Sequence, residues 1–408
     1  MAAGPGASAL LADFGATVIK VETEKGDPWR KVLTRSGRSF GAVFEHDNRG
    51  KQSVVLDLTC KAGIRAFHLL LGTVDVLVCN VRVAGTQRLG LDYETLCKRY
   101  PRLIYAHITA FGREGPMTNA PGYDAGAFWA STGMLDNLRS LDNGRLPMLP
   151  GAAGDHATSL ALVAGISLAL YHREKTGEGK LVDVSLLRSG LWCNGMYLSA
   201  ASDNNAVVDA LKNPQRIGPT FQGYLTSDGQ TIQLLGYQTG RHLPVLMRAL
   251  GNLQKKPTVA QVGAIMQTKS AHEWEKIFDA EDVWYTRVMD LVDIASQAEI
   301  PNKKKKKTSG KMSQIPEQIY QTHGFYKGGR LTGTGAGLVA SPMRLGSGLG
   351  GVNEPSMKIV PLCPELGEHT RSTLLSIGLS IEEISHLEKE GAFGSFGVGV
   401  GSEGKAKL

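Results

Sequence analysis

Residues 74–112 read VDVLVCNVRVAGTQRLGLDYETLCKRYPRLIYAHITAFG and contain the pattern that decides the fold. Two runs rich in β-branched residues, at 74–80 and 102–112, flank a segment at 92–101 with apolar residues at three- and four-residue spacing. Such runs favour strands and such spacing favours an amphipathic helix, so the stretch predicts strand, crossover helix and strand. A crossover of this length joins parallel strands, and the stretch therefore predicts a parallel sheet.

The same alternation continues on both sides of this unit. Further strands are predicted at 16–22, 52–58 and 181–187, with helices at 8–16, at 61–72 and from Asp155 to about residue 176. The sequence thus predicts an α/β fold with a Rossmann-like doubly wound parallel sheet. Ligands bind such sheets beyond the carboxyl ends of the strands, which here are Glu22, Leu58, Asn80 and the loop at 111–115.

A change of pattern after residue 200 predicts a second, smaller α+β domain. Residues 221–236 suggest a hairpin around Asp228-Gly229, and amphipathic helices such as 271–282 follow it. From about 335 the chain becomes extended again and ends in two helices, the second begun by Ser380 in capping-box spacing with Glu383. We therefore expect a large domain of residues 1–200 and 335–408 and a small domain of residues 215–330.

Composition favours an ordinary globular protein. The 408 residues are 42% hydrophobic with a formal charge of +7, but five consecutive lysines, Lys303 to Lys307, supply most of the excess. No aromatic platform accompanies them, so they predict a solvated insertion and no nucleic-acid partner. Neither a G-x-G-x-x-G nor a Walker pattern follows a strand, which argues against NAD and ATP.

The cysteines and the apolar segments give further expectations. The five cysteines have no paired spacing for zinc or redox chemistry and are predicted to be buried free thiols. No signal peptide and no uninterrupted apolar run of spanning length are evident, which predicts a soluble intracellular protein without a membrane partner.

The chain ends in Ala406-Lys407-Leu408, a conservative variant of the S-K-L tripeptide that peroxisomal import receptors bind. A glycine-rich stretch precedes it and would keep it accessible. The sequence therefore predicts a peroxisome-type organelle, with the cytoplasm or another soluble compartment as the alternative.

Residues 151–180 place Asp155 just ahead of a long apolar helical segment. Aspartate is a favoured helix N-cap, because its carboxylate accepts hydrogen bonds from the unpaired N–H groups of the first turn. Mixed apolar and small residues after it, including Leu160, Val163 and Leu168, predict a closely packed helix. A reacting carboxylate is the second reading of Asp155, and the residues of this segment alone leave both open.

Six segments stand out along the chain: LLADFGATVIKVE, NRGKQSVVLDL, residues 75–116, GYDAGAFWASTGM, GDHATSLALVAGISLALYHREKTGEGKLVDVSLL, and SPMRLG with LGEHT and GLSIEEI. Their order and spacing are similar to those of the class III CoA-transferase family, which also includes α-methylacyl-CoA racemases, and the similarity extends over nearly the whole length of the sequence.

The resemblance implies an acyl-CoA enzyme with coenzyme A as cosubstrate, no metal, and two subunits interlocked as a homodimer. The family's nucleophilic aspartate falls on Asp155, which would attack a thioester and pass through an aspartyl-CoA intermediate. The helix N-terminus is expected to keep Asp155 ionised, and Gly151 and Gly154 to admit the acyl group and offer N–H groups to an oxyanion. The implied substrates are an acyl-CoA and a free carboxylic acid, whose identities the sequence does not give.

The resemblance also places CoA contacts on the predicted rim of the sheet. Arg88 would hold a phosphate group as a bidentate donor, although a solvated helix arginine is its simpler reading. Asn80 could equally be a turn residue and Tyr123 a buried aromatic. The implied contacts are Leu56, Asp57, Leu58, Thr59, Asn80, Val81, Arg82, Arg88, Tyr123 and Asp124.

The sequence departs from the family pattern at three places. The family has a complete strand before the AGP at residues 3–5, ending in glutamine where this chain has Ala2. Its NFRPG is NVRVA here, and Thr23 replaces an arginine that lies near the CoA base in some members. Because of the first departure, the strand expected before residue 3, a CoA-binding protein without turnover remains an alternative.

Racemization is the enzymatic alternative, because α-methylacyl-CoA racemases share the family's fold. They use a histidine before the aspartate of the GYD motif, paired with a glutamate, where this chain aligns Tyr123 and Gln238. Two-base proton transfer needs groups that titrate near neutrality; tyrosine ordinarily titrates near pH 10 and glutamine does not titrate. Transfer is therefore favoured. His156 keeps racemization open, although an exposed first-turn histidine is its simpler reading.

Overall fold

The computed structural model describes residues 2–34, 40–140, 143–203, 218–298, 342–343 and 363–397. The predicted lysine insertion at 303–307, the extended segment from 335 and the C-terminal tripeptide at 406–408 lie outside the described residues. The chain forms two compact units, one from residues 1–195 with 341–408 and one from residues 196–340.

The larger unit alternates helices with parallel strands. Its strands are β1 (Val18–Glu22), β2 (Lys51–Val55), β3 (Val76–Cys79), β4 (Ile104–Thr109) and β5 (Leu181–Ser185). Its α-helices up to residue 193 are α1 (Ala3–Asp13), α2 (Ala42–Asn48), α3 (Lys61–Leu71), α4 (Val83–Leu89), α5 (Tyr93–Arg99), α6 (Met134–Asn137), α7 (Ala153–Thr176) and α8 (Leu186–Cys193). A 3-10 turn at Pro28–Lys31 and a π-helix at Ala125–Ala130 interrupt this alternation.

The predicted βαβ unit forms as the sequence indicates. Asp92 caps α5 by accepting from the N–H of Thr95 at 2.9 Å, and Gly90 ends α4 in the left-handed conformation, with φ of 65°. β3 and β4 pair in parallel, and β5 joins the other side of β4. The parallel α/β fold is thereby confirmed.

The predicted single sheet is not observed. Hydrogen bonds join β1 only to β2, and β3, β4 and β5 form a separate three-stranded sheet. Among the described residues no strand bonds to both β1 and β3; α1 packs against each of them. The strand positions could be predicted from local sequence, but strand pairing depends on segments distant along the chain.

The helices at 370–389 pack against the N-terminal part of the larger unit. Helices α14 (Thr370–Ser376) and α15 (Ile381–Lys389) pack near β2 and α3, and the predicted capping box of Ser380 and Glu383 is present. The N–H of Val55 donates to Thr370 Oγ1 at 3.0 Å. The C-terminal segment is therefore part of the same core as β2.

Helix α7 is the long helix that follows Gly151 and contains Gly154 in its first turn. It is the one described helix long and apolar enough to cross a membrane, with mean hydropathy of 1.3 and 39% of its most apolar window buried. It packs against α1, β4 and β5, as a core helix does. Leu160 and Leu168 are exposed, so the helix is less completely buried than the sequence predicts.

The second unit, described by itself, is built on a small antiparallel sheet. It contains α9 (Gly195–Asp203), β6 (Gly223–Leu225), β7 (Thr231–Leu234), α10 (Thr239–Ala249), α11 (Val259–Met266), α12 (Ala271–Ala280), β8 (Tyr285–Arg287) and α13 (Leu291–Ala298). β6 and β7 form the predicted hairpin, and Trp274 and Phe278 fill the core beneath the sheet.

The cysteines are free, as predicted, but only Cys363 is buried. Cys193 is exposed, and the other three are partly buried. Cys193 ends α8 and Cys97 lies in the short helix α5, whose outward positions reach solvent.

Candidate active site

Asp155 lies in the first turn of α7 but does not cap it. The helix begins at Ala153, because Ala152 adopts the left-handed conformation with φ of 60° and turns the chain into the helix two residues earlier than predicted. No side chain caps this end, and the Asp155 carboxylate accepts no hydrogen bond from the described residues. The N-cap reading of Asp155 is therefore wrong, and its carboxylate is not occupied by the helix backbone.

Gly154 lets the π-helix approach this first turn closely. A β-carbon on Gly154 would lie 2.1 Å from Asp124 Oδ1 and 2.4 Å from Phe128 Cγ. The glycine is thus needed for packing, and the prediction that it opens space for an acyl group is wrong. Gly151 is exposed, and a β-carbon there would have no neighbour within 4 Å.

Burial and a second carboxylate set the charge on Asp155. Burial first, and then the nearby negative charge of Asp124, raise the pKa of Asp155 to about 6. Burial also raises the pKa of Asp124, whose Oδ1 is buried without a hydrogen-bond partner among the described residues. The helix N-terminus was expected to keep Asp155 ionised; desolvation raises its pKa instead, although the carboxylate stays mostly ionised at pH 7.

His156 is half-buried and paired, in contrast to the exposed histidine expected. Its Nε2 lies 2.9 Å from Asp47 Oδ1, 109 residues away along the chain. The ring of His46 meets the ring of His156 edge-on, with centroids 5.3 Å apart. Hydrogen bonding to Asp47 raises the pKa of His156, while burial lowers that of His46.

Buried polar contacts hold α2 and α7 against α1. Lys51 Nζ donates to the carbonyl oxygens of Pro5 and Asp47 at 2.8 and 2.7 Å. Arg49 forms a buried ion pair with Asp13 at 2.6 Å. On the other side, Ser159 Oγ donates to the carbonyl oxygen of Ala3 at 2.6 Å. Helix α1 thus fixes the position of Asp47 relative to His156.

The predicted rim residues fall into two groups. Near Asp155, Tyr123 is 68% exposed and not buried, and Asp124 precedes the π-helix. Asn80 is exposed at the end of β3, and its Cβ lies 3.8 Å from where a β-carbon of Gly4 in α1 would stand. The segment 56–59 instead faces the C-terminal chain, where the N–H of Asp57 donates to Ala392 O at 2.7 Å.

The remaining rim residues differ in exposure. Leu56 is buried, whereas Val81, Arg82 and Arg88 are exposed. Arg82 Nη1 donates to the carbonyl oxygen of Asn119 at 3.1 Å.

Two side chains in the predicted rim are engaged within the protein. Thr59 donates its N–H and its hydroxyl to the Asp57 carboxylate at 2.9 and 2.6 Å, forming a local turn. Glu22, which the sequence placed at a ligand-binding strand end, is buried and pairs with Arg30 at 2.7 Å. Glu22 is therefore structural. Neither the partner Arg30 nor the pair Asp47 and His156 was predicted from the sequence.

Comparison with known proteins identifies relatives along most of the chain. The sequence profile of CoA-transferase family III matches residues 1–314. Cinnamoyl-CoA:phenyllactate CoA-transferase of Clostridium sporogenes is 29% identical over 95% of this chain and 93% of the relative. Alpha-methylacyl-CoA racemase of Mus musculus is 26% identical over 96% of this chain and 93% of its own length.

The solved structures show the same fold. A CaiB/BaiF family protein from Brucella suis superposes with a TM-score of 0.69 and 24% identity, covering 92% of this chain and 96% of that protein. The similarity in fold therefore extends over nearly all of both chains.

Proposed function

Because this chain belongs to CoA-transferase family III, we propose that it is an acyl-CoA:carboxylic acid CoA-transferase with a covalent intermediate on Asp155. The observation that carries the proposal is the state of the Asp155 carboxylate. It is partly buried, it accepts no hydrogen bond from the described residues, and a second carboxylate stands beside it. A carboxylate that neither caps a helix nor forms an ion pair is suited to nucleophilic attack.

The chemistry proceeds in two balanced halves. The Asp155 carboxylate attacks the thioester carbonyl carbon, the C–S bond breaks, and CoA leaves as a thiolate while a mixed anhydride of the acyl group and Asp155 forms. The thiolate then attacks the aspartyl carbonyl carbon, which releases the first acid as a carboxylate and leaves an aspartyl-CoA thioester. An incoming carboxylate repeats these steps in reverse. With a pKa of about 6, about nine-tenths of Asp155 is ionised at pH 7.

The proposal assigns CoA binding to residues 1–200 and 335–408, with 215–330 as the smaller domain. The exposed side chains of Asn80 and Arg88 support it, since a ligand can reach them from solvent. Arg82 is also exposed, although one of its nitrogens donates to Asn119. Leu56 is buried and the Asp57 carboxylate is bonded to Thr59, so contact in this segment is expected mainly at the more accessible Leu58 and Thr59. The proposed contacts are Leu56, Asp57, Leu58, Thr59, Asn80, Val81, Arg82, Arg88, Tyr123 and Asp124.

Two further parts of the proposal concern assembly and location. An interlocked homodimer is supported by large apolar side chains exposed on α7 and α8, including Leu168 and Trp192. A peroxisome-type organelle is supported by Ala406-Lys407-Leu408. A fluorescent protein ending in these residues, compared with one lacking the last residue, tests the second part.

Racemization is the second candidate, because α-methylacyl-CoA racemases are among the relatives. His156, which follows Asp155 and is hydrogen-bonded to Asp47, favours racemization more strongly than the sequence alone does. Tyr123 and Gln238 align with the histidine and the glutamate that serve as bases in the racemases. Neither a tyrosine nor an amide is suited to that role near neutral pH, and this supports transfer.

One experiment separates these functions. The protein is incubated with an acyl-CoA and hydroxylamine, and peptides are examined by mass spectrometry for a hydroxamate on Asp155. We expect modification in the native protein and none in Asp155→Asn. Exchange of the α-hydrogen for deuterium without modification would support the racemase, and CoA binding without either reaction would support a non-catalytic protein.

A further inference from the structure

The pair of Asp47 and His156 belongs to a larger cluster beside the candidate active site. With His46 the two residues offer three ligand atoms, two imidazole nitrogens and a carboxylate oxygen, all within 4.8 Å of one another. His46 and Asp47 lie in α2 and His156 in α7. The cluster therefore forms only when these two helices meet.

We propose that His46, Asp47 and His156 form a binding site for one divalent transition metal ion, for which Zn²⁺ has the best-matched ligand preference. Two imidazoles with one carboxylate suit Zn²⁺, Co²⁺ or Ni²⁺, whereas Ca²⁺ and Mg²⁺ take oxygen ligands. Three protein ligands leave a further coordination position for water or another small ligand.

The imidazole of His46 is the least explained group of the cluster. It has no hydrogen-bond partner among the described residues, and it is partly buried and turned edge-on to His156. Its ring nitrogens are not among the atoms buried away from solvent, so a ligand can reach them without breaking another contact. A metal ion between the two rings would supply that partner and would also coordinate the Asp47 carboxylate.

The surrounding charges favour a cation. Asp155 adjoins His156 in the first turn of α7, and Asp124 Oδ1 stands beside Gly154 in the same turn. The basic groups of the same segment are already engaged, Arg49 with Asp13 and Lys51 with carbonyl oxygens. An ion can enter from solvent, because the His156 side chain is 40% exposed.

The frame around the cluster holds the ligands close to the required spacing. Tetrahedral Zn²⁺ separates its ligand atoms by roughly 3.3 Å, so displacements of the ligand atoms by about 1–2 Å through side-chain rotation would bring them to that spacing. A β-carbon on Gly6 of α1 would stand 2.8 Å from Ser159 Oγ, so the glycine lets α1 pack closely against α7 beside His156. Hydrogen bonds from Lys51 and Arg49 to the carbonyl oxygens of Asp47 and His46 fix the end of α2.

A metal ion here would act on the neighbouring carboxylate. Because His156 follows Asp155, a divalent charge would attract the Asp155 carboxylate and compete with its attack on a thioester. This part rests on the proposed function, and it predicts that added Zn²⁺ slows acyl transfer and that a chelator restores it.

The test follows metal binding without reference to activity. Full-length protein is freed of metal with a chelator and titrated with Co²⁺, whose visible d–d absorption reports nitrogen and oxygen ligands, and with Zn²⁺ by calorimetry. We expect one ion per chain, with affinity at least about tenfold weaker in His46→Ala and in Asp47→Asn. Circular dichroism checks that each variant is folded.

His386→Ala is the matched control, because His386 is an exposed histidine of α15 that also faces a carboxylate, Glu390. Its affinity should equal that of the native protein. Absence of stoichiometric binding would overturn the proposal, as would equal affinity in His46→Ala or a thiolate charge-transfer band that indicates cysteine ligands. If Co²⁺ binds as expected but hydroxylamine does not trap Asp155, the metal site stands and the transferase mechanism fails.

Discussion

The single hydrogen side chain of Gly154 sets the distance between two helices at the candidate nucleophile. The π-helix brings Asp124 and Phe128 against the first turn of α7, where no side-chain atom larger than hydrogen fits. Asp155 follows directly, so its position and its electrostatic environment both depend on this contact. A π-helix at such a point is common at functional sites, because it places side chains that a regular helix would not.

Gly154→Ala is expected to lower both transfer and stability. Overpacking costs about 1–3 kcal/mol in stability, and a shift of about 1 Å at a reacting group can cost about a hundredfold in rate. Measurements of kcat/KM and of thermal unfolding should show both losses. Gly151→Ala is the control, because its β-carbon would have no neighbour within 4 Å. Equal effects of the two substitutions would contradict the packing argument.

Asp124→Asn is expected to move the acid limb of the pH–rate profile to lower pH. Asp155 must be ionised to attack, so transfer falls as pH drops through its pKa of about 6. The substitution removes the negative charge of Asp124, while burial, the larger cause, remains. The profile of kcat/KM for chelator-treated protein should therefore shift only in part. A limb that stays in place would show that Asp124 does not act on Asp155.

The sequence could identify Asp155 but not its surroundings. Its position ahead of an apolar helix and the family resemblance both point to it. Its environment depends on Asp124 and on the distant Asp47, which the fold brings close. Adjacent histidine and aspartate at 46–47 were the only local signal of the cluster, and nothing in their spacing indicates a partner 109 residues away.

At the level of elements, a buried ion pair connects the sheet of β1 and β2 with segments that lie outside it. Glu22 ends β1, accepts from Ser53 of β2 at 2.7 Å, and pairs with Arg30 of the 3-10 turn. Arg30 also donates to the carbonyl oxygen of Pro364 at 2.9 Å, which ties the C-terminal segment to the same point. Sequence patterns predicted β1 and β2 themselves, but ion pairs between distant segments leave no periodic signal.

Arg30→Met is expected to lower the free energy of unfolding by about 3–5 kcal/mol at pH 7, because it leaves the buried Glu22 carboxylate unpaired. Urea denaturation measures the change. Arg65→Met is the matched control, since its pair with Glu390 is solvent-exposed and screened by water, so its loss should change the stability little. A loss in Arg30→Met no larger than in the control would contradict the role of the pair.

The same pair gives the native protein a pH dependence. Although burial opposes it, hydrogen bonding and charge from Arg30 hold the pKa of Glu22 below its usual value of 4.5. The stabilisation is therefore present above pH 4.5 and is lost as pH falls through the lower, folded-state value. Urea midpoints of native protein should fall over this range, and those of Glu22→Gln should fall less. Parallel decreases in the two proteins would count against the linkage.

At the scale of the whole molecule, local sequence predicted the elements better than their assembly. Alternating strands and helices were correct in type and order, because periodicity and caps are local properties. The separation into two parallel sheets was not predicted, since pairing is decided by contacts between distant segments. The exposed apolar side chains of α7 were also missed, because the sequence pattern alone predicted a closely packed helix.

Those exposed side chains predict self-association. Leu168 and Trp192 are 72% and 87% exposed, more than isolated chains ordinarily leave uncovered on adjoining helices. Light scattering should therefore show a dimer, and Trp192→Asp should lower its stability at least about tenfold, because a charge would be buried in an apolar contact. Ile381→Asp on α15 is the control, an exposed apolar position of the C-terminal helices that should leave the dimer intact. A native protein that stays monomeric at micromolar concentration, or a Trp192→Asp dimer of undiminished stability, would exclude this surface as the interface.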